Sequence, residues 1–114
     1  MGDNKQKGNN GESLAAEYIT EKGYSIIKRN YRIRNAEIDI IAEKDGVIAF
    51  IEVKYRKNNA LGTPAEAVNA AKQKKIVTAA LNFIAENGDK HDYRFDVCEV
   101  TPKGVNYIEN AFWI

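Results

Sequence analysis

The dipeptide Asp45-Gly46 lies between two apolar runs, EIDIIA at 37–42 and VIAFIEVKY at 47–55, and decides which of their residues meet. Asp-Gly is a strong signal for a two-residue hairpin turn, in which both central residues take φ > 0. With that turn Lys44 pairs with Val47, and counting outward brings Ala42 opposite Ala49, Ile40 opposite Ile51 and Asp39 opposite Glu52. Two carboxylates then face each other across paired strands, and Glu37 and Lys54 form the next pair on that face. Side chains opposed in this way have Cβ atoms about 5 Å apart, so like charges destabilise the pair unless something offsets them. Because both strands are otherwise apolar, the carboxylates are expected to be half-buried, where an unpaired charge is costly and marks a metal or catalytic site. The alternative is a structural salt-bridge cluster neutralised by Lys54 and Arg56, which would be the better reading on surface strands.

A hard divalent cation, magnesium or manganese, uses one or two carboxylates together with waters and phosphate oxygens, which fits Asp39 and Glu52 as metal ligands. Lys54, two residues beyond Glu52 on the same strand face, is positioned to activate the attacking water or to hold the scissile phosphate. Phosphodiester hydrolysis is the reaction this set supports. Glu12 is a further candidate, since positions 12, 15, 16 and 19 fall along one side of a first helix whose apolar stripe includes Ile19. A capping box from Asn9 to Glu12 explains the same residue without any site.

The elements that must position these groups can be read in turn. Leu14, Ala15, Tyr18 and Ile19 recur at helical spacing, Asn9 or Asn10 can cap the start, and Gly23 follows as a stop. The run YSIIKRNYR at 24–32 is β-prone and precedes the two strands of the hairpin. Ile38 and Ile40 lie opposite Ile41, while Ile48 and Phe50 lie opposite Ala49, Ile51 and Val53, so the strands are apolar on both faces and need helices over each. Thr63, Pro64 and Glu66 open a second helical region at 64–87 with a capping box and a preset φ. Ile76, Val77, Ala80, Leu81 and Ile84 continue its apolar face, Gly88 ends it, and a break near Asn69 to Lys72 can divide it. YRFDVCEV at 93–100 alternates as a strand, TPKG turns, and VNYI at 105–108 is a last short strand. The order α-β-β-β-α-β-β describes an α/β fold with a mixed central sheet flanked by helices.

A chain of 114 residues, 44% apolar and 29% charged, suits one soluble domain over 11–114 after a flexible N-terminus at 1–10. No apolar run approaches a membrane span and the polar start lacks the hydrophobic stretch of a signal peptide, so a cytoplasmic location and no membrane partner are expected. The single Cys98 sits in an apolar run and reads as core. The formal charge of +1 conceals an asymmetry: residues 22–75 carry twelve Lys or Arg against six Asp or Glu, the remainder five against ten. Solvated faces are the commoner meaning of such a run, and a footprint for a polyanion is the sharper one. Arg29, Arg32, Arg34, Arg56, Lys57, Lys74 and Lys75 are the candidate nucleic-acid contacts.

Gly11-Glu12-x-x-Ala15, Arg29-Asn30-Tyr31-Arg32, Glu37-Ile38-Asp39, F-I-E-V-K at 50–54, Arg56, Arg94-Phe95-Asp96 and Asn110-Ala111-Phe112 together resemble the YraN family of bacterial proteins, from about residue 8 to the end. That family looks like a branch of the restriction-endonuclease-like PD-(D/E)xK superfamily, which includes Holliday junction resolvases. The resemblance implies a metal-dependent nuclease core with the catalytic Asp and E-x-K on adjacent strands, which map onto Asp39, Glu52 and Lys54 with twelve residues between the two acids. It also implies that Glu12 corresponds to the helical acid of resolvase-like members, that Gln73 resembles a Gln some members place near the site, and that a homodimer is the working form, as in related resolvases. One departure is Ala36, where the family usually has Gly before E-I-D; Ala restricts the backbone but removes no catalytic group.

His91 lies in a polar loop without the partners a zinc site needs, and Ser13 has no base to activate it. Asp96 reads as satisfying a buried hydrogen bond, and Tyr24, Tyr31 and Tyr55 as core aromatics before base-stacking ones. Two functional classes remain: a metal-dependent endonuclease acting on DNA, including branched or single-stranded forms, and a non-catalytic nucleic-acid-binding accessory protein that keeps the nuclease fold.

Overall fold

Strands apolar on both faces require a cover on each side, and the chain supplies one helix before the hairpin and one after it. The structure is a computed structural model and describes residues 2–56, 68–88 and 91–112, with side chains from residue 11 onward. Its elements are α1 (Gly2–Glu21), β1 (Ser25–Ile33), β2 (Ala36–Lys44), β3 (Val47–Tyr55), α2 (Ala70–Asn87), β4 (Asp92–Thr101) and β5 (Gly104–Ile108), in the expected order.

The five strands form one mixed sheet in the order β1-β2-β3-β4-β5. Asp45 and Gly46 both take positive φ, 52° and 80°, which is what a two-residue hairpin turn demands, and Lys44↔Val47 and Ala42↔Ala49 pair as that turn predicts. β3 and β4 run parallel with Phe50 beside Phe95 and Glu52 beside Val97, so the β3–β4 connection crosses over through α2. β4 and β5 close the far edge as a hairpin.

Each helix covers one face. Ala15, Ala16 and Ile19 of α1 pack with Ile40, Ala49, Ile51, Cys98 and Val100, whereas Ile76, Ala79, Ala80 and Phe83 of α2 pack with Ile41, Ile48, Phe50 and Phe95. Phe50 is fully buried and meets Phe83 edge-on at 5.9 Å, and full burial of a side chain of this kind contributes roughly 1.5–3 kcal/mol. Cys98 is core, and burial pushes its thiol up to about 12, aided by the Glu99 charge, which disfavours the reactive thiolate.

Two expectations are revised, the start of α1 and the alternation of β2. The backbone is helical from Gly2, so the first ten residues belong mostly to α1 and neither Asn9 nor Asn10 begins it; no proline interrupts that segment. α2 starts at the anticipated break, with Asn69 as its N-cap accepting the Lys72 amide at 2.9 Å. The start predicted at Thr63-Pro64-Glu66 lies outside the described residues. Ile38 packs on the α2 side although Ile40 packs on the α1 side, so β2 departs from strict alternation around Asp39. No helix among the described residues is long and apolar enough to cross a membrane.

Candidate functional site

The site lies where the β2–β3 ladder stops. Pairing runs from Lys44↔Val47 to Ile40↔Ile51 and ends one step short of Asp39 and Glu52. There the Val53 amide donates to Asp39 Oδ2 at 2.8 Å, a side chain taking a bond from the backbone beyond the last paired residues. Glu52 is only 3% exposed, and its carboxylate sits beside that of Asp39. Burial, then a hydrogen bond to Glu52 and its like charge, push Asp39 up to about 8; the Val53 amide and Lys72 pull the other way by less. Near neutral pH the Asp39 carboxyl is therefore held toward its protonated form.

The countercharge comes from Lys72. Its Nζ is ion-paired with Glu52 Oε2, although its side chain is half exposed, so it reaches into the site from the solvent side. Burial alone would lower its titration, but the Glu52 bond and the neighbouring carboxylates outweigh that and raise it, keeping the ammonium charged. Lys72 occupies the third position of α2, one turn before the buried Ile76, so i, i+4 spacing turns both toward the sheet. Asn69 caps this turn, and Gln73 Nε2 donates to the Val68 carbonyl at 2.9 Å.

These groups line a cleft of about 580 Å³ between the first turn of α2 and the β1–β2 connection, with Arg32, Asn35 and Lys75 at its polar margin. Asp39 and Glu52 are brought together as expected. Lys54 is not: it is exposed, has no ion pair among the described residues and does not line the cleft. The expected Glu37–Lys54 pair is absent from the register; Glu37 instead accepts Arg32 Nε at 2.5 Å across β1 and β2. Glu12 stands on α1, against the other face of the sheet, where Arg29 donates to it at 3.4 Å. Among the described residues no third His, Cys, Asp or Glu completes a metal-binding group with the pair, so Glu12 is not brought to it as a ligand. Gln73 lies outside the cleft and holds the helix start.

The candidate nucleic-acid contacts divide the same way. Arg32 and Lys75 border the cleft, and Arg34 and Lys74 are exposed. Arg56 is bound instead to the fully buried Glu99, at 2.6 Å, and Lys57 lies outside the described residues. Asp96 satisfies buried donors as expected: Arg94 from two nitrogens, the Tyr107 hydroxyl and the Asn110 amide at 2.9 Å. Phe95 stacks on Phe112 at 5.1 Å, so Arg94-Phe95-Asp96 and Asn110-Ala111-Phe112 form one staple that ties the C-terminal segment to β4. Tyr24 and Tyr31 are core, whereas Tyr55 is exposed.

Lys72 is the residue the sequence reading missed. The available signal was the cap: with Asn69 at the helix start, Lys72 shares a face with Ile76 and precedes the solvent-facing Lys74.

The model of the uncharacterised protein family UPF0102 matches residues 11–100. A UPF0102 protein of Alkaliphilus metalliredigens is 46% identical, covering 95% of this chain and 98% of its own length. One of Chloroherpeton thalassium is 48% identical over 88% of this chain and 78% of its own. That of Symbiobacterium thermophilum is 47% identical over 95% and 97%. The match spans α1 to β4, including Asp39 and Glu52 of the cleft and the Arg94-Phe95-Asp96 strand, and the chain belongs to the UPF0102 (YraN) family.

Proposed function

We propose that this protein is a metal-dependent nuclease that hydrolyses phosphodiester bonds of DNA, branched and single-stranded forms included. The observation that carries the reading is the Asp39–Glu52 pair: two adjacent carboxyls, held at the end of a strand ladder, at the floor of a cleft bordered by Arg32, Lys72 and Lys75. A fold gains nothing from placing two acids together in a partly dry site, and the raised Asp39 titration is the mark of that conflict.

The donor set fits a hard divalent cation. Two carboxylates without histidine or thiolate suit magnesium or manganese, which keep waters and phosphate oxygens as their other ligands. Asp39 and Glu52 would hold the ion, which when bound supplies Lewis-acid activation of water and neutralisation of the phosphate. The rest is the work of the chain: Arg32 and Lys75 orient the phosphate backbone at the cleft margin, and the Val53 amide fixes the Asp39 carboxyl.

The test is cleavage of linear, single-stranded and four-way-junction DNA with magnesium or manganese, comparing wild type with Glu52→Gln. Cleavage that needs metal and is lost in the variant supports the reading; none on any substrate by a protein that binds metal overturns it. The exposed position of Lys54 favours a second reading, in which the family fold binds nucleic acid without cutting it. DNA binding without cleavage is its signature.

A further inference from the structure

We propose that Lys72 on α2, rather than Lys54 of the E-x-K sequence, is the lysine of this site: it neutralises Glu52 in the metal-free protein and contacts the substrate phosphate once a cation holds the carboxylates. The phosphate role rests on the nuclease reading, while the pairing with Glu52 does not.

Three observations carry it. The Lys72 ammonium is ion-paired with a carboxylate only 3% exposed, so the cleft holds its charge at the reacting end. Lys54 follows Glu52 by two residues on the strand, yet its side chain is exposed and is not among the described residues that line the cleft. The burial along β3 runs buried through Glu52, intermediate at Val53 and exposed at Lys54 and Tyr55, so this is a property of the strand end. Finally, the Lys72 backbone is held while its side chain reaches Glu52 along a half-exposed stem. The Asn69 cap and the Gln73 bond to Val68 fix the turn, and the half-exposed stem can swing toward a phosphate entering beside Lys75.

Without metal, Lys72 answers the negative charge of Glu52 through their ion pair. If Asp39 and Glu52 held a divalent cation, that ion would supply the countercharge, and the Lys72 ammonium would be left to pair with the nearest other anion, the substrate phosphate. No proton has to leave Lys72.

The experiment compares wild type, Lys72→Met, Lys72→Arg and Lys54→Met by manganese titration calorimetry without DNA, at one fixed pH for all four proteins, and by cleavage rate with metal saturating. Removing a cation from beside the ion's position tightens metal binding, so Lys72→Met should bind manganese roughly tenfold more tightly, with Lys72→Arg near wild type and Lys54→Met unchanged. Cleavage should fall roughly 100-fold or more in Lys72→Met, recover in part in Lys72→Arg and stay within about threefold of wild type in Lys54→Met. The reverse pattern, with Lys54→Met altering manganese affinity or abolishing cleavage while Lys72→Met does neither, overturns the assignment. If wild type cuts no DNA, the nuclease reading fails separately, and the manganese affinities still decide which lysine serves the carboxylates.

Discussion

Replacing Asp39 with Asn separates a functional carboxylate pair from a structural salt bridge, because the two make opposite predictions for stability. In the metal-free protein Asp39 titrates near 8 instead of 3.8, and burial with the neighbouring Glu52 charge is the cause. A carboxyl whose folded pKa is raised contributes its full stability below the unfolded pKa and loses it as pH rises through the folded one. Wild type should therefore weaken steadily from about pH 4 to about pH 8 and then level. At pH 7 the shift spans about three units, an upper bound of roughly 4 kcal/mol at 1.36 kcal/mol per unit. The Val53 amide bond and the Lys72 charge act against the shift, so roughly 1–2 kcal/mol is the expected gain on substitution. Asn keeps an acceptor for the Val53 amide and offers an N–H to Glu52, reproducing the protonated acid without its titration. For a chain of this size the melting temperature in chelator should rise by ~4–8 °C near pH 7, and the gap to wild type should close toward pH 4. Magnesium at 100 times its dissociation constant would stabilise wild type by about 2.7 kcal/mol through mass action, and the variant should lose most of that. Thermal melts of both proteins, in chelator and in excess metal, across pH, provide the check. A variant less stable than wild type in chelator with an unchanged metal response would make Asp39 a salt-bridge residue and refute the reasoning.

DNA affinity should fall steeply with salt, and Arg32→Ala and Lys75→Ala should each reduce the slope of log K against log salt by about 1; fluorescence anisotropy over a salt series would show no such change if the cleft margin makes no phosphate contact. Asp96→Ala leaves Arg94, the Tyr107 hydroxyl and the Asn110 amide without their common acceptor, so urea unfolding should report a loss of about 3–5 kcal/mol. Hydrogen exchange at Ala111, whose amide donates to the Phe95 carbonyl at 2.8 Å, should accelerate with it, and unaltered protection there would count against the staple.

What the sequence made legible were local rules with short reach. Asp45-Gly46 dictated a hairpin and its register, and the register delivered Asp39 beside Glu52. Apolar residues on both strand faces implied two helix covers, which α1 and α2 provide, and the apolar run around Cys98 placed it inside. Asp96 was legible because an acid among Phe95, Val97 and Cys98 cannot be left without donors.

The remainder was hidden because it depended on where covers end. Alternation correctly assigns Lys54 to the strand face of Glu52, but facing one side of a sheet does not mean facing a cleft: burial along β3 falls from buried at Glu52 to exposed at Lys54 within two residues. Arg56 looked like a phosphate contact for the same reason, and its attachment to Glu99 requires the parallel β3–β4 pairing, a register between residues 43 apart that no turn chemistry announces. Glu12 illustrates the converse, since a helical acid turned inward meets whatever the sheet offers, here Arg29 of the edge strand. Lys72 became visible only when its cap, the i, i+4 relation to Ile76 and the splay of β2 at Asp39 were considered together. Each is a small displacement that strict periodicity would not include. A carboxylate pair set by one tight turn thus meets a lysine from a helix some twenty residues downstream, an ion pair that the spacing of the strand motif does not announce.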